Sequence, residues 1–229
     1  MGAQTLQTLI DEGLLEAGNS AIETRAKFLF KQWLRSQAAG FRWPQIHREI
    51  AAVPLGSSVQ RVSIGAGANG VAERVQLIDD PIKLYKTDGS AYADVRVQTQ
   101  WAVGNSTGND VVIPAAQNSG RPSYCRVLYS ATVDGRWDMV FDKVADQAYL
   151  LQVSLDIMPA DPADAAAPWY PNDRTMVQAV NALARKYMRA DDWRDEMELA
   201  ASMVLDDRMK YGIVPGKNDV LALDSRTYR

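Results

Sequence analysis

Few residues of this chain combine the types and spacing that catalysis requires. The single cysteine, Cys125, lies in the strand-like run Tyr124–Val127, so we predict a buried and unreactive thiol. The single histidine, His47, has no carboxylate at a helical spacing that would orient it as a base. It also has no second histidine with which to share a metal ion. These residues predict no catalytic residue, no cofactor site and no metal site.

Two further patterns are weak candidates for chemistry. Gly65-Ala66-Gly67-Ala68-Asn69-Gly70 matches the G-x-G-x-x-G string, which binds dinucleotides only between a strand and a helix. The following Val71–Leu77 continues as a strand, so a hairpin turn is predicted instead. The carboxylates of Asp79-Asp80 and Asp206-Asp207 are neighbours in sequence and point to different faces, which predicts solvated charges. Carboxylates distant in sequence could still meet in space.

Composition limits the classes of function. A chain of 229 residues, 47% apolar and 23% charged, can bury a sizeable core. The net charge of −3 is spread evenly without a basic patch, which argues against tight binding to a phosphate backbone. One cysteine excludes an internal disulfide. No apolar run approaches ~20 residues, so no membrane-spanning segment is predicted.

Apolar residues at three- and four-residue steps predict two helices at each end of the chain. Gly18 closes the first helix, and Ser20 with Glu23 forms a capping box at the start of the second. Pro171-Asn172-Asp173 is a start signal for the third helix, and Asp191-Asp192 starts the fourth. Because each helix is apolar along one side, we predict that the four pack as an antiparallel bundle.

Period-two alternation predicts strands between the two helix pairs. The clearest hairpin joins Val127–Val133 to the run after Asp134-Gly135. Further strands are predicted at Val95–Trp101, Leu151–Ile157, Val59–Ile64 and Val71–Leu84. The predicted fold is therefore α+β, with an antiparallel β-sandwich or open barrel inserted into the helical bundle.

These elements predict four ranges along the chain. Residues 1–56 form the N-terminal helices, and residues 57–158 form the inserted β domain. Residues 159–212 form a linker and the C-terminal helices that complete the bundle. Residues 213–229 form an extended C-terminal tail without a helical or strand period of its own.

Several short segments follow one another in a fixed order along residues 20–212. They are Phe30-Lys31-Gln32-Trp33-Leu34, then Trp43, Gly120-Arg121-Pro122-Ser123-Tyr124, Met158-Pro159-Ala160-Asp161-Pro162, and Trp169-Tyr170-Pro171-Asn172-Asp173. With the helix pairs and strands around them, they resemble the head-to-tail adaptor, or connector, proteins of short-tailed bacteriophages. The order of the segments carries the resemblance, since each segment alone is common.

The resemblance implies a structural virion protein rather than an enzyme. Such adaptors form a homo-oligomeric ring, usually of twelve copies, between the portal protein and the tail nozzle or tail tube protein. The ring is assembled in the host cytoplasm, and genomic DNA passes through its channel without sequence-specific binding. The extended tail is expected to contact the portal through its apolar residues, Ile213, Val214, Val220, Leu221, Leu223 and Tyr228.

Two other hypotheses remain open from the sequence. The first is a β-sandwich binding module for carbohydrate or protein, in which the helices form an oligomerisation stalk. Trp101, Trp137 and Tyr149 would be its exposed aromatic platform. The second is an enzyme with a dispersed carboxylate site, which needs two acidic groups facing each other in a cleft.

Overall fold

The computed structural model describes residues 4–98, 119–130 and 132–211. The chain divides into two compact units. The helical unit contains the described residues up to Ile46 and from Asp161 onward, and the β unit is His47–Ala160. Both ends of the described chain therefore belong to one unit, and the β unit is an insertion between them. The predicted β domain was 57–158, ten residues shorter at its N-terminal side.

Four helices form the helical unit: α1 (Leu6–Ala17), α2 (Glu23–Gly40), α3 (Asp173–Met188) and α4 (Trp193–Tyr211). Helix α3 packs against the other three, and nine of its residues are buried. The predicted start of the third helix at Pro171-Asn172-Asp173 is confirmed, and Asn172 is its cap, where the side chain accepts a hydrogen bond from the Arg174 N–H at 3.1 Å. None of the described helices is both long and apolar enough to cross a membrane.

The junction between α1 and α2 differs in part from the prediction. Gly18 closes α1 in the left-handed region, with φ of 76°. The predicted capping box at Ser20 is wrong, because residues 20–22 form a 3₁₀ turn capped by Asn19. The carboxylate of Glu23 binds Lys27 at 2.9 Å one turn along α2, which lowers the pKa of Glu23. It is therefore engaged with Lys27 rather than folded back as a cap.

An aromatic cluster closes the helical unit after α2. The ring of Trp43 is fully buried and lies 5.0 Å from the ring of Tyr170 and 6.1 Å from that of Trp169. The Trp43 indole N–H donates to the carbonyl of Gln37 at 3.1 Å. The indole N–H therefore has a hydrogen-bond partner although the ring lies in an apolar cluster, as is usual for a buried tryptophan.

Ten strands form the β unit: β1 (His47–Leu55), β2 (Arg61–Ile64), β3 (Arg74–Ile78), β4 (Ile82–Lys86), β5 (Ala91–Gln98), β6 (Ser119–Gly120), β7 (Tyr124–Tyr129), β8 (Trp137–Phe141), β9 (Val144–Ala145) and β10 (Tyr149–Met158). Eight of them make a large, nearly closed mixed sheet in the order β1-β10-β4-β5-β7-β8-β2, with β3 also paired to β10. Strands β6 and β9 form a separate two-stranded sheet.

The predicted strand at Leu151–Ile157 is confirmed and lies within β10. Strand β10 pairs antiparallel with β1, β3 and β4. Its side chains alternate between buried and half-buried from Tyr149 to Leu155, as period two requires. The alternation ends at Asp156, where a shift in register interrupts the pairing with β3.

The sheet is not purely antiparallel, so that part of the prediction is wrong. Strands β5 and β7 pair in parallel, with Arg96 opposite Tyr124. Antiparallel neighbours can be joined by a tight turn, whereas parallel neighbours need a connection of a dozen or more residues. Twenty-five residues separate Gln98 from Tyr124, which is long enough for such a crossover.

Two predicted strand ranges are corrected by the turns inside them. The range Val71–Leu84 contains two strands, β3 and β4, which are separated by Asp79-Asp80-Pro81. The run predicted to reach Val133 ends at Tyr129, because the hydroxyl of Ser130 accepts from the N–H groups of Thr132 and Val133 and begins a turn. The predicted hairpin between β7 and β8 is present, with Asp134-Gly135 inside this longer connection.

Candidate functional site: an apolar groove beside helix α4

The cysteine predicted to be unreactive is buried among the strands of the β unit. Cys125 lies on β7 opposite Phe141 of β8, and its side chain is fully shielded. Burial raises the pKa of its thiol to about 12, because an apolar surrounding disfavours the thiolate. At neutral pH the group is a protonated thiol that packs like a small apolar side chain.

The glycine-rich string forms a turn, and no helix follows it. The predicted hairpin is wrong, because β2 pairs with β8 and β3 pairs with β10 rather than with each other. The Ala66 N–H donates to the Glu73 carbonyl at 2.8 Å, and the Gly67 N–H donates to Val71 at 2.7 Å. Gly65 has φ of 91° and leaves no room for a Cβ, which would lie 2.7 Å from the Gly135 carbonyl. These amides therefore serve the turn between β2 and β3 instead of pointing at a phosphate.

His47 has a carboxylate partner that its neighbours in sequence do not reveal. Its Nδ1 lies 2.9 Å from Oδ1 of Asp156, which belongs to β10 and is buried. The two residues are directly opposite each other in the β1–β10 ladder. A carboxylate beside a histidine can orient its imidazole ring. Here the contact is also a cross-strand pair that links β1 to β10. Sequence reasoning missed the pair because 109 positions separate its members.

Asp207 is the second carboxylate that the sequence misplaced. It was predicted to be a solvated charge, yet it is 1% exposed, while the neighbouring Asp206 is exposed as predicted. Its two oxygens accept from the Tyr170 hydroxyl at 3.1 Å and from the Asn172 side-chain amide at 2.7 Å. Burial and the adjacent carboxylate raise the pKa of Tyr170. The cluster ties α4 to the chain just before α3.

An open apolar groove of about 420 Å³ lies in the helical unit between α2 and α4. Its lining consists of Trp33 and Gln37 of α2, Ala179 and Leu183 of α3, and Met197, Ala200, Ala201, Val204, Leu205 and Arg208 of α4. None of these side chains is a carboxylate, so the facing acidic groups that an acid–base hydrolase needs are absent from this groove.

Helices α2 and α4 form the two walls of the groove. Both pack against α3, which contributes Ala179 and Leu183 to the lining. Met197, Ala201 and Leu205 recur every four residues along α4, so they lie on one side of that helix. Ala201 and Ala179 add little bulk, which leaves the groove unfilled. At one end, the guanidinium of Arg208 reaches across to α2, donating to Gln37 at 3.2 Å and lying 5.2 Å from the ring of Phe41.

Apolar side chains are also exposed along the rest of α4. Leu199 is 49% exposed, Leu205 59%, Met209 80% and Tyr211 42%. Single exposed apolar residues are ordinary, whereas several on one helix beside an apolar groove make α4 the candidate interaction surface of the helical unit. The sequence alone did not show that Leu205 and Met209 of α4 face outward.

The remaining predicted site residues are distributed as follows. The six tail residues expected to contact a portal lie outside the described residues, as does Trp101. Tyr149 is 1% exposed and donates its hydroxyl to Asp146, so its assignment to an exposed aromatic platform is wrong. Trp137 is half-buried, and its indole N–H donates to the Val75 carbonyl at 2.6 Å.

Comparison with known proteins does not assign the chain to a family. No protein-family model matches the sequence. No curated protein matches it either.

Proposed function

We propose that this chain is a structural virion protein that forms a ring between a phage portal and the tail nozzle. The ring extends the DNA channel, through which the genome passes without sequence-specific binding, and it offers a docking surface to the tail. In this proposal the four helices act as an antiparallel bundle and the β unit as an open barrel. The extended tail, Ile213–Arg229, contacts the portal.

The observation that carries the proposal is the apolar surface of α4. Exposed Leu199, Met209 and Tyr211 cost free energy in water, at about 25 cal/mol per Å² of apolar surface, which burial at an interface recovers. A cyclic ring joins two different faces of each copy, and permanent interfaces bury roughly 2,000 Å² or more. Helix α4, which has a buried side and several exposed apolar side chains, is suited to supply part of such a face.

The order of sequence segments supports assigning the ring to a phage connector. The helix containing Trp33, the buried Trp43 and the Trp169-Tyr170 segment come together in one aromatic cluster. These are three of the segments on which the resemblance to adaptor proteins depends. Because these segments pack together in the helical unit, they form one structural feature, which supports the resemblance.

Introducing charged side chains on α4 tests this interface. We expect the double variant Leu199→Glu, Met209→Glu to fold like the wild type, since exposed substitutions change stability by about 0.5 kcal/mol or less. It should fail to form rings on purified portal, as judged by sedimentation velocity. Leu15→Glu, an exposed leucine on α1, is the matched control and should assemble normally.

Two results would contradict the proposal at different levels. Normal ring formation by the double variant would remove α4 from the interface. Failure of the wild-type chain to associate with portal at any concentration would remove the adaptor function itself.

A further inference from the structure

We propose that in the free chain the C-terminal segment, residues 212–229, folds back and fills the groove between α2 and α4 of the same molecule. The inference concerns the chain before any assembly, and it does not require the ring function to be correct. It names an occupant for an apolar groove that would otherwise be open to water.

The groove is large enough for several side chains. Its volume of about 420 Å³ compares with roughly 30 Å³ for one water molecule in the liquid. Trp33, Leu183 and Leu205 provide apolar contact on all three helices that line it. Water in such a groove gains few hydrogen bonds, so an apolar segment replaces it favourably.

The C-terminal segment has the matching chemistry. Val220-Leu221-Ala222-Leu223 is a run of four apolar residues, flanked by Asp219 and Asp224. The one charged lining residue of the groove is Arg208, which is in none of the salt bridges among the described residues. An aspartate at either end of the apolar run can pair with this guanidinium.

The chain leaves α4 at the correct place to reach the groove. Tyr211 follows Arg208 by three residues, or about 4.5 Å of helix. Pro215-Gly216 is a dipeptide that favours a chain reversal. The groove extends along α4 from Arg208 to Met197, about 17 Å, whereas the eight residues 212–219 can span up to ~27 Å.

The tether also favours the segment of the same chain over that of another copy. A short flexible connection gives an effective concentration on the order of millimolar. At micromolar protein the intramolecular contact therefore dominates unless geometry forbids it. A segment held in this way must leave the groove before it can contact any other protein.

Disulfide trapping in the full-length chain tests the inference. One cysteine replaces Ala201 in the groove and another replaces Ala222 in the apolar run (Ala201→Cys, Ala222→Cys). The native Cys125 is buried and protonated, so it does not compete at neutral pH. Under mild oxidation we expect an intramolecular cross-link at least tenfold faster than in the control pair Leu15→Cys, Ala222→Cys.

Adding Leu221→Asp and Leu223→Asp to the trapping pair should slow the cross-link to the control rate, because these changes remove the apolar contact. Equal rates in the trapping and control pairs would overturn the proposal. Cross-links formed only between two molecules would show that a second copy occupies the groove, and would overturn it as well. Portal is absent from every sample, so the outcome is separate from the test of ring formation.

Discussion

At the scale of single residues, the buried carboxylate of Asp207 is the most consequential feature of the helical unit. Its oxygens accept hydrogen bonds from the Tyr170 hydroxyl and the Asn172 amide, and both Asp207 and Tyr170 are buried. Removing a buried acceptor leaves its donors without partners, which costs more than the hydrogen bonds contribute.

We therefore expect Asp207→Ala to lower the free energy of unfolding of the helical unit by about 3 kcal/mol. Urea denaturation followed by far-ultraviolet circular dichroism measures the change. Asp206→Ala is the matched control, because Asp206 is exposed, and it should change stability by no more than about 0.5 kcal/mol. Equal effects of the two substitutions would show that the cluster contributes nothing specific.

Cys125 gives a second prediction at this scale, through its ionisation. With a folded-state pKa of about 12 against an ordinary value of 9.0, the thiolate forms about a thousandfold less readily in the native chain. Ellman's reagent at pH 8 should label the native protein at least a hundredfold more slowly than the urea-unfolded protein. Rapid labelling of the native chain would mean that this strand opens easily.

The sign of the pH effect follows from the same pKa. The folded-state pKa of Cys125 is raised, so its contribution to stability is fully present below pH 9. That contribution is lost as the pH rises towards 12, because the unfolded chain gains the thiolate that the folded chain excludes. Burial also raises the pKa of Tyr149 to about 12, so its contribution to stability is likewise lost as the pH rises towards 12.

At the scale of elements, the contact between α1 and α3 depends on a glycine inside a helix. A Cβ at Gly13 would lie 2.6 Å from Cβ of Val180 and 2.9 Å from the carbonyl oxygen of Val177. Helices approach this closely only where one of them lacks a side chain. Gly13 thus sets the spacing between α1 and α3.

We expect Gly13→Ala to lower the free energy of unfolding by about 2 kcal/mol, even though alanine is the better helix former. Gly40→Ala is the matched control, because the nearest atom to its added Cβ is 3.7 Å away, in the flexible side chain of Arg208. It should be neutral or stabilising by up to about 1 kcal/mol. Thermal unfolding of both variants measures the difference, and a stabilising Gly13→Ala would contradict the described packing.

The elements also show why some of the fold was predictable from sequence. Helices α1 and α3 were predicted because local signals, Gly18 and Asn172, mark their ends, and β10 because its alternation is unbroken over seven residues. Strand β1 was missed since a register shift between Ile50 and Val53, with Ala52 at φ of 64°, interrupts any period-two pattern. The parallel pairing of β5 with β7 depends on a long connection that carries no local signal.

The candidate site was less predictable than the fold for a related reason. Which of Asp206 and Asp207 is buried depends on the rotation of α4 and on the position of Tyr170, which is 37 residues away. The groove likewise depends on small residues from two helices facing each other, Ala179 and Ala201. Alanine is common in helices, so the sequence does not distinguish these two residues from any other helical alanine.

At the scale of the whole molecule, the chain combines a helical unit made from both of its ends with a β unit inserted between them. Exposed apolar side chains of α4 form a surface on the helical unit. In the proposed ring, the α4 surface contacts the neighbouring copy and the C-terminal segment contacts the portal.

Native mass spectrometry of the chain mixed with portal rings from the same particle tests the central claim most directly. We predict one stable complex in which twelve copies of this chain join one portal ring, with no complex of that mass when portal is omitted. A spectrum containing only free portal and free chain, across concentrations from micromolar upward, would contradict the proposed adaptor function.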